Sequence, residues 1–171
     1  MAAQLLTHTF DPVFDSHSRI LVLGTFPSVK SRENHFYYGH PQNRFWRLMA
    51  ELTAEPLPAD ISAKKELLLK HGIALWDVLA SCEITGSSDS SIRRPVANNI
   101  NLILQQAPIE LIGANGGKAF ELYEKHCQPQ TKRKAVKLPS TSPANASWSL
   151  EKLLTVWGEA FREVFSGQTA D

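Results

Sequence analysis

The chain has only two cysteines, Cys82 and Cys127, no apolar run long enough to span a bilayer, and no surplus of either charge. Two thiols cannot build a four-cysteine zinc or iron–sulfur site, and in a reducing compartment they are expected to be free. The opening residues, MAAQLLTHTF, have neither the basic start nor the long apolar core of a secretory signal. A cytoplasmic protein with no membrane attachment is expected, associated with the nucleoid when it acts. A net charge of +1 does not announce a nucleic-acid partner by bulk electrostatics. Also missing are a G-x-x-x-x-G-K-S/T phosphate loop, a dinucleotide G-x-G-x-x-G, zinc-spaced His/Cys clusters and a G-x-S-x-G elbow. Nothing in the sequence implies a metal or a cofactor.

What is present is a soluble globular composition, 43% hydrophobic and 20% charged, over 171 residues. That length fits one domain, 1–171, with residues 1–18 as a leader packing on its outside. Ile20–Leu23 reads as a buried strand that breaks at Gly24-Thr25-Phe26-Pro27-Ser28. A polar and aromatic segment follows, and Asn43-Arg44-Phe45-Trp46 opens a helix to Leu52. Residues 60–71 form a second helix, with Asp60 or Ser62 as N-cap and Gly72 as its stop. Ile73–Trp76 is a second strand running on into a helical turn at 77–80. The Ser- and Gly-rich stretch Ser81–Pro95 reads as a long loop. A short helix at 98–106, a strand at 109–113, a helix to about His126 and a strand at 135–138 follow. Ser149–Phe165 closes the chain as a helix whose apolar stripe is core.

Strands alternating with helices predict a single three-layer α/β/α domain around a four-stranded parallel sheet. In such a fold the loops after the four strands gather at one sheet edge, where α/β proteins place their ligands. Those loops carry amides, hydroxyls, aromatics and histidines. Such a set suits water positioning and recognition of a planar uncharged group better than metal or covalent catalysis.

The ordered segments GTFPS, FYYGHPQNRFW, GIALWDVLASCEITGSSDSSI, IGANGGKAF and LPSTSPANA resemble the uracil-DNA glycosylase superfamily, and most closely its hypoxanthine (deoxyinosine) branch. The resemblance spans residues 19–165. It implies a monofunctional glycosylase of base excision repair. Such an enzyme hydrolyses the N-glycosidic bond of hypoxanthine, or of uracil or xanthine, after the base leaves the stack. The implied partner is DNA containing deaminated bases, with no protein partner, and the chain acts as a monomer.

By the same resemblance, Gly24, Thr25 and Phe26 form one wall of the base pocket. Tyr38 stacks on the base, His40 shares its segment, and Asn115 reads the base edge with an amide that both donates and accepts. The first loop lacks the Asp or Asn of other branches, and the catalytic residue implied is Asn43, holding the attacking water. Ser140, Thr141, Ser142, Pro143, Ala144 and Asn145 resemble the loop that presses on the DNA backbone and wedges into the stack. The basic run Lys132, Arg133, Lys134 and Lys137 would lie near phosphates and make affinity fall with salt.

Each residue also has a plainer use. Asn43 suits a helix cap, Asn115 a left-handed turn before Gly116-Gly117, and Tyr38 ordinary packing. His35 and His40 suit a surface or cap position. Asp77 is read as a cap after its strand and Asp89 as a loop-ordering residue. Two other functions fit the same sequence: a damaged-DNA-binding module without turnover, and a hydrolase of free nucleosides or nucleotides.

Overall fold

A computed structural model describes residues 3–166 of the chain. Its centre is a four-stranded parallel sheet built from β2 (Ile20–Gly24), β3 (Ile73–Asp77), β6 (Leu111–Asn115) and β7 (Val136–Leu138). The spatial order is β3-β2-β6-β7. β2 and β3 are buried at every position, as their continuous apolar runs require of strands covered on both faces. The register sets Gly24 opposite Asp77 and Asn115 opposite Leu138, so the carboxyl ends of the strands finish level.

Helices cover this sheet. α2 (Phe45–Thr53) buries Phe45, Trp46, Leu48 and Met49. α7 (Leu150–Ser166) buries Leu153, Trp157, Phe161 and Val164, a repeat of three and four residues that lays one stripe on the core. Trp157 is wholly buried, and its indole N–H donates to the Pro139 carbonyl at 2.9 Å. α3 (Ile61–Lys70) starts at Asp60, whose carboxylate accepts the Ala63 N–H at 2.8 Å. α5 (Gly117–His126) follows β6 directly and leads into α6 (Gln128–Thr131). α4 (Asn101–Leu104) is a single turn.

Three elements depart from the sequence reading. The leader holds a strand, β1 (Gln4–Thr7), and the stretch read as a helical turn plus a long loop holds two more, β4 (Leu79–Ile84) and β5 (Arg93–Ala97). They form a second, antiparallel sheet in the order β1-β4-β5. β5 is polar and contains Pro95, which is tolerated because the strand is an edge. The polar segment after Ser28 also folds, as α1 (Val29–Asn34), with the Ser28 hydroxyl accepting from Ser31 N. His35 ends it in a left-handed conformation, φ 54°.

No helix of the described residues is long and apolar enough to cross a membrane.

Candidate active site

The level ends of β2, β3 and β6 leave a crevice, and four loops close it into a cavity of about 410 Å³. Gly24, Thr25, Phe26, Tyr38, His40, Asn43 and Asn115 all line it, together with Ser140–Ala144. Residues scattered over 120 positions of sequence thus meet at one carboxyl edge, because each follows a parallel strand.

Gly24 is a glycine because two groups occupy the space beside it. A Cβ there would lie 2.4 Å from Asp77 Oδ1 and 2.9 Å from the Tyr38 hydroxyl. Tyr38 is held at φ 53°, a left-handed conformation uncommon for a bulky side chain. One face of its ring stacks on Phe45, centroids 4.2 Å apart and planes 26° from parallel. Its hydroxyl is buried without a hydrogen-bond partner. Burial first, and then the Asp77 carboxylate, push the phenol well above the ordinary tyrosine value, with the Asn115 amide opposing them. The hydroxyl therefore keeps its proton.

Asn115 is not in a left-handed turn; it is the last residue of β6, and the turn falls at Gly116, φ 101°. Its amide binds Thr141 twice, Oδ1 accepting the Thr141 N–H and Nδ2 donating to Thr141 Oγ1, both at 3.0 Å. That leaves one N–H and one lone pair. The N-cap of α2 is Arg44, with no side-chain cap, whereas Asn43 stands one residue earlier and lines the cavity. Its Oδ1 accepts from Phe45 N at 2.9 Å, at the start of α2, and its Nδ2 meets no described residue. His40 Nδ1 accepts the Gln42 N–H at 3.1 Å, so the neutral ring carries its proton on Nε2.

The loop 140–145 is braced by its own side chains. Ser140 Oγ accepts from Ser142 N, Ser142 Oγ accepts from Ala144 N, and Asn145 Nδ2 donates to the Ser140 carbonyl. The stronger restraint is Arg44, which the sequence offered only as part of a helix start. Its guanidinium donates to the carbonyls of Thr141 (3.3 Å), Ser142 (2.8 Å), Asn145 (3.2 Å) and Trp148, and its backbone N–H also reaches Thr141. Arg32 plays a similar part on the other side, donating to the carbonyls of Pro27 and Gly86.

Lys132, Arg133 and Lys134 are not brought to the cavity. They precede β7, at the opposite end of the parallel sheet, and the Arg133 guanidinium donates to the Ile109 carbonyl at 2.7 Å. Lys137, within β7, lines a groove that adjoins the cavity along Ser140, Ser142, Ala144 and Asn145. Asp89 borders both spaces. Desolvation holds its carboxyl above the usual range, Lys118 opposes this, and Asp77 adds to it.

Sequence reasoning missed Asp77 as a cavity residue. It is buried, and Oδ2 accepts from His8 Nε2 at 2.8 Å. The partner comes from a segment 69 positions away, so no local pattern could have signalled the pair. Among the described residues no cluster of His, Cys, Asp or Glu is grouped to hold a metal ion.

A parallel-sheet domain with an amide- and aromatic-lined pocket at its carboxyl edge, and a braced Ser/Pro loop at the rim, is built to receive a flat polar ring. The description "Uracil DNA glycosylase superfamily" matches residues 12–163, and the chain belongs to that superfamily. It is 35% identical over 155 residues to a hypoxanthine DNA glycosylase of Methanosarcina barkeri, covering 90% of this chain and 96% of that one. A hypoxanthine DNA glycosylase of Methanosarcina acetivorans is 36% identical over 160 residues, 92% of this chain and 99% of the other. The fold also matches a solution NMR structure from Methanosarcina acetivorans, described as a candidate uracil DNA glycosylase. That match has a TM-score of 0.77 and 34% identity, and covers 90% of this chain and 95% of that one.

Proposed function

We propose that this chain is a monofunctional DNA glycosylase that removes deaminated bases, hypoxanthine foremost, with uracil and xanthine in reach of the same pocket. The observation that carries the reading is the convergence of Asn43, Tyr38 and Asn115 with the 140–144 loop around one cavity. A flipped nucleotide enters that cavity with its base against the open face of Tyr38, whose other face rests on Phe45.

At the rim, Asn43 holds the attacking water through its free Nδ2 and the second lone pair of Oδ1. An amide is not a base at neutral pH, so its contribution is placement of the water and stabilisation of charge. As the glycosidic bond breaks, its electron pair leaves with the base and the sugar becomes cationic at C1′. Water adds to C1′, its proton is lost, and an abasic site remains. Among the described residues no lysine lines the cavity, and a Schiff-base route would need one there. Ser140–Asn145 lies along the DNA backbone, and Lys137 in the adjoining groove faces phosphates.

The test uses end-labelled oligonucleotides carrying one deoxyinosine or one deoxyuridine, as duplex and as single strand, with protein in excess. Hot alkali then breaks the strand at abasic sites. Cleavage at deoxyinosine is expected, and in Asn43→Ala the single-turnover rate falls at least about a hundredfold while DNA binding changes little. Wild-type cleavage by the variant would remove Asn43 from the chemistry. No cleavage at either base would refute the enzymatic reading.

A further inference from the structure

The hairpin that joins β4 to β5, residues 85–92, has no part in the chemistry described so far, yet its tip, Ser87–Ser90, lines the cavity. Its own hydroxyls and α1 hold it in place. Thr85 N donates to Ser91 Oγ at 2.9 Å, and the Ser91 hydroxyl donates to the Ser88 carbonyl at 2.6 Å. Val29 N donates to Ser87 Oγ at 2.8 Å, and the Arg32 guanidinium donates to the Gly86 carbonyl at 3.1 Å. On a single 3₁₀ turn, Asp89–Ser91, this frame presents one carboxylate.

Among the described residues, Asp77 and Asp89 are the acids that line the cavity. Asp77 is committed to His8 at 2.8 Å. Asp89 is exposed, and its carboxylate accepts no hydrogen bond and makes no ion pair with any described residue. Asp89, Ser140, Ser142 and Ala144 border both the cavity and the adjoining groove. With the base in the cavity and phosphates beside Lys137 in the groove, the sugar that joins them crosses this shared border.

A carboxylate at that border is unfavourable in the ground state, because it faces the phosphates that the groove receives. It becomes favourable once positive charge appears beside it. Breaking the glycosidic bond makes such a charge at C1′ and the ring oxygen.

We infer that Asp89 is a catalytic residue, the carboxylate that faces the sugar, stabilises its cation and takes a proton from the attacking water. This deepens the function proposed above and rests on its reading of the cavity. Asn43 places the water, and Asp89 supplies the negative charge that an amide lacks. The C1′–N bond breaks with its electron pair going to the base, and the water oxygen bonds to C1′. One water proton passes to Asp89 and on to solvent, and the base, released as its anion, takes a proton from solvent.

Asp89→Asn keeps the size of the side chain and removes its charge, and the hairpin loses no hydrogen bond by it. Binding is measured with two oligonucleotides that resist cleavage. One carries 2′-fluoroarabino-hypoxanthine, whose sugar stays neutral. The other carries a pyrrolidine ring in place of the deoxyribose, with a protonated nitrogen where the cation forms. In Asp89→Asn the neutral probe should bind about twofold to tenfold more tightly, because a charge facing phosphates is gone. The cationic probe should bind at least about tenfold more weakly. The single-turnover rate at deoxyinosine should fall at least about a hundredfold. Asp89→Glu, which keeps the charge, should keep the wild-type order of the two probes.

A merely structural defect weakens both probes together. Shifts of the two probes in the same direction, or a rate within about threefold of wild type, overturn the inference. Should Asp89→Asn fail to fold, Asp89→Ala carries the same test. Failure of the function itself reads differently: opposite shifts of the two probes, with no cleavage at deoxyinosine by the wild type, refute the glycosylase and keep Asp89 at the sugar.

Discussion

Removing the Arg44 guanidinium should loosen the rim loop and the Asn43 segment together. The group donates to four carbonyls, those of Thr141, Ser142, Asn145 and Trp148. A hydrogen bond from a charged donor contributes roughly 1.5–3 kcal/mol, but the four share one group and partly exposed carbonyls regain water. The expected loss for Arg44→Ala is therefore about 2–4 kcal/mol, not the sum of four. For a domain of this size that lowers the melting temperature by roughly 5–15 °C. Arg44→Lys keeps the charge but offers a compact ammonium instead of a planar fork, and should recover less than about half of the loss. Thermal unfolding followed by tryptophan fluorescence gives the shift, and amide hydrogen exchange localises it to residues 140–148. A melting point within a degree of wild type, with unchanged exchange in that loop, would refute the reasoning.

Two further outcomes follow from the packing. Gly24→Ala sets a methyl 2.4 Å from Asp77 Oδ1 and 2.9 Å from the Tyr38 hydroxyl. It should cost about 1–3 kcal/mol in denaturant unfolding and reduce deoxyinosine cleavage more than it reduces stability. Burial pushes the thiols of Cys82 and Cys127 up to about 11, and both are enclosed. Since the thiolate is the reacting form, neither should be alkylated by iodoacetamide at pH 8 until the protein unfolds; mass spectrometry of native and denatured samples decides it.

The parallel sheet was legible because its strands are short apolar runs between breakers. The cavity was legible because each of its motifs follows such a strand. The second sheet was not. β1 is a short exposed edge strand, β5 is a polar edge strand with a proline, and β4 alternates only weakly, burying Leu79, Cys82 and Ile84. Their pairing is fixed by tertiary contact, which overrides local pattern. Asn43 was legible as a cavity residue, but not as a cap, since the N-cap of α2 is Arg44. The contacts of Arg44, read only as part of a helix start, and of Asp77, read as a cap, were hidden because their partners lie 69 to 104 positions away. The placement of Lys132–Lys134 shows the converse error. They are close in sequence to the rim loop, but β7 carries the chain from one end of the sheet to the other.

The superfamily match begins at residue 12, whereas His8 grips Asp77 from outside that limit. The unit that similarity outlines and the unit that shapes the pocket therefore differ. A version cut at the outlined boundary would keep every recognisable motif and all four parallel strands. It would lose β1 and the imidazole that orients a buried carboxylate. Relatives alike in every motif can thus differ in how that carboxylate is held through a few residues at the amino end, a segment that motif comparison leaves out.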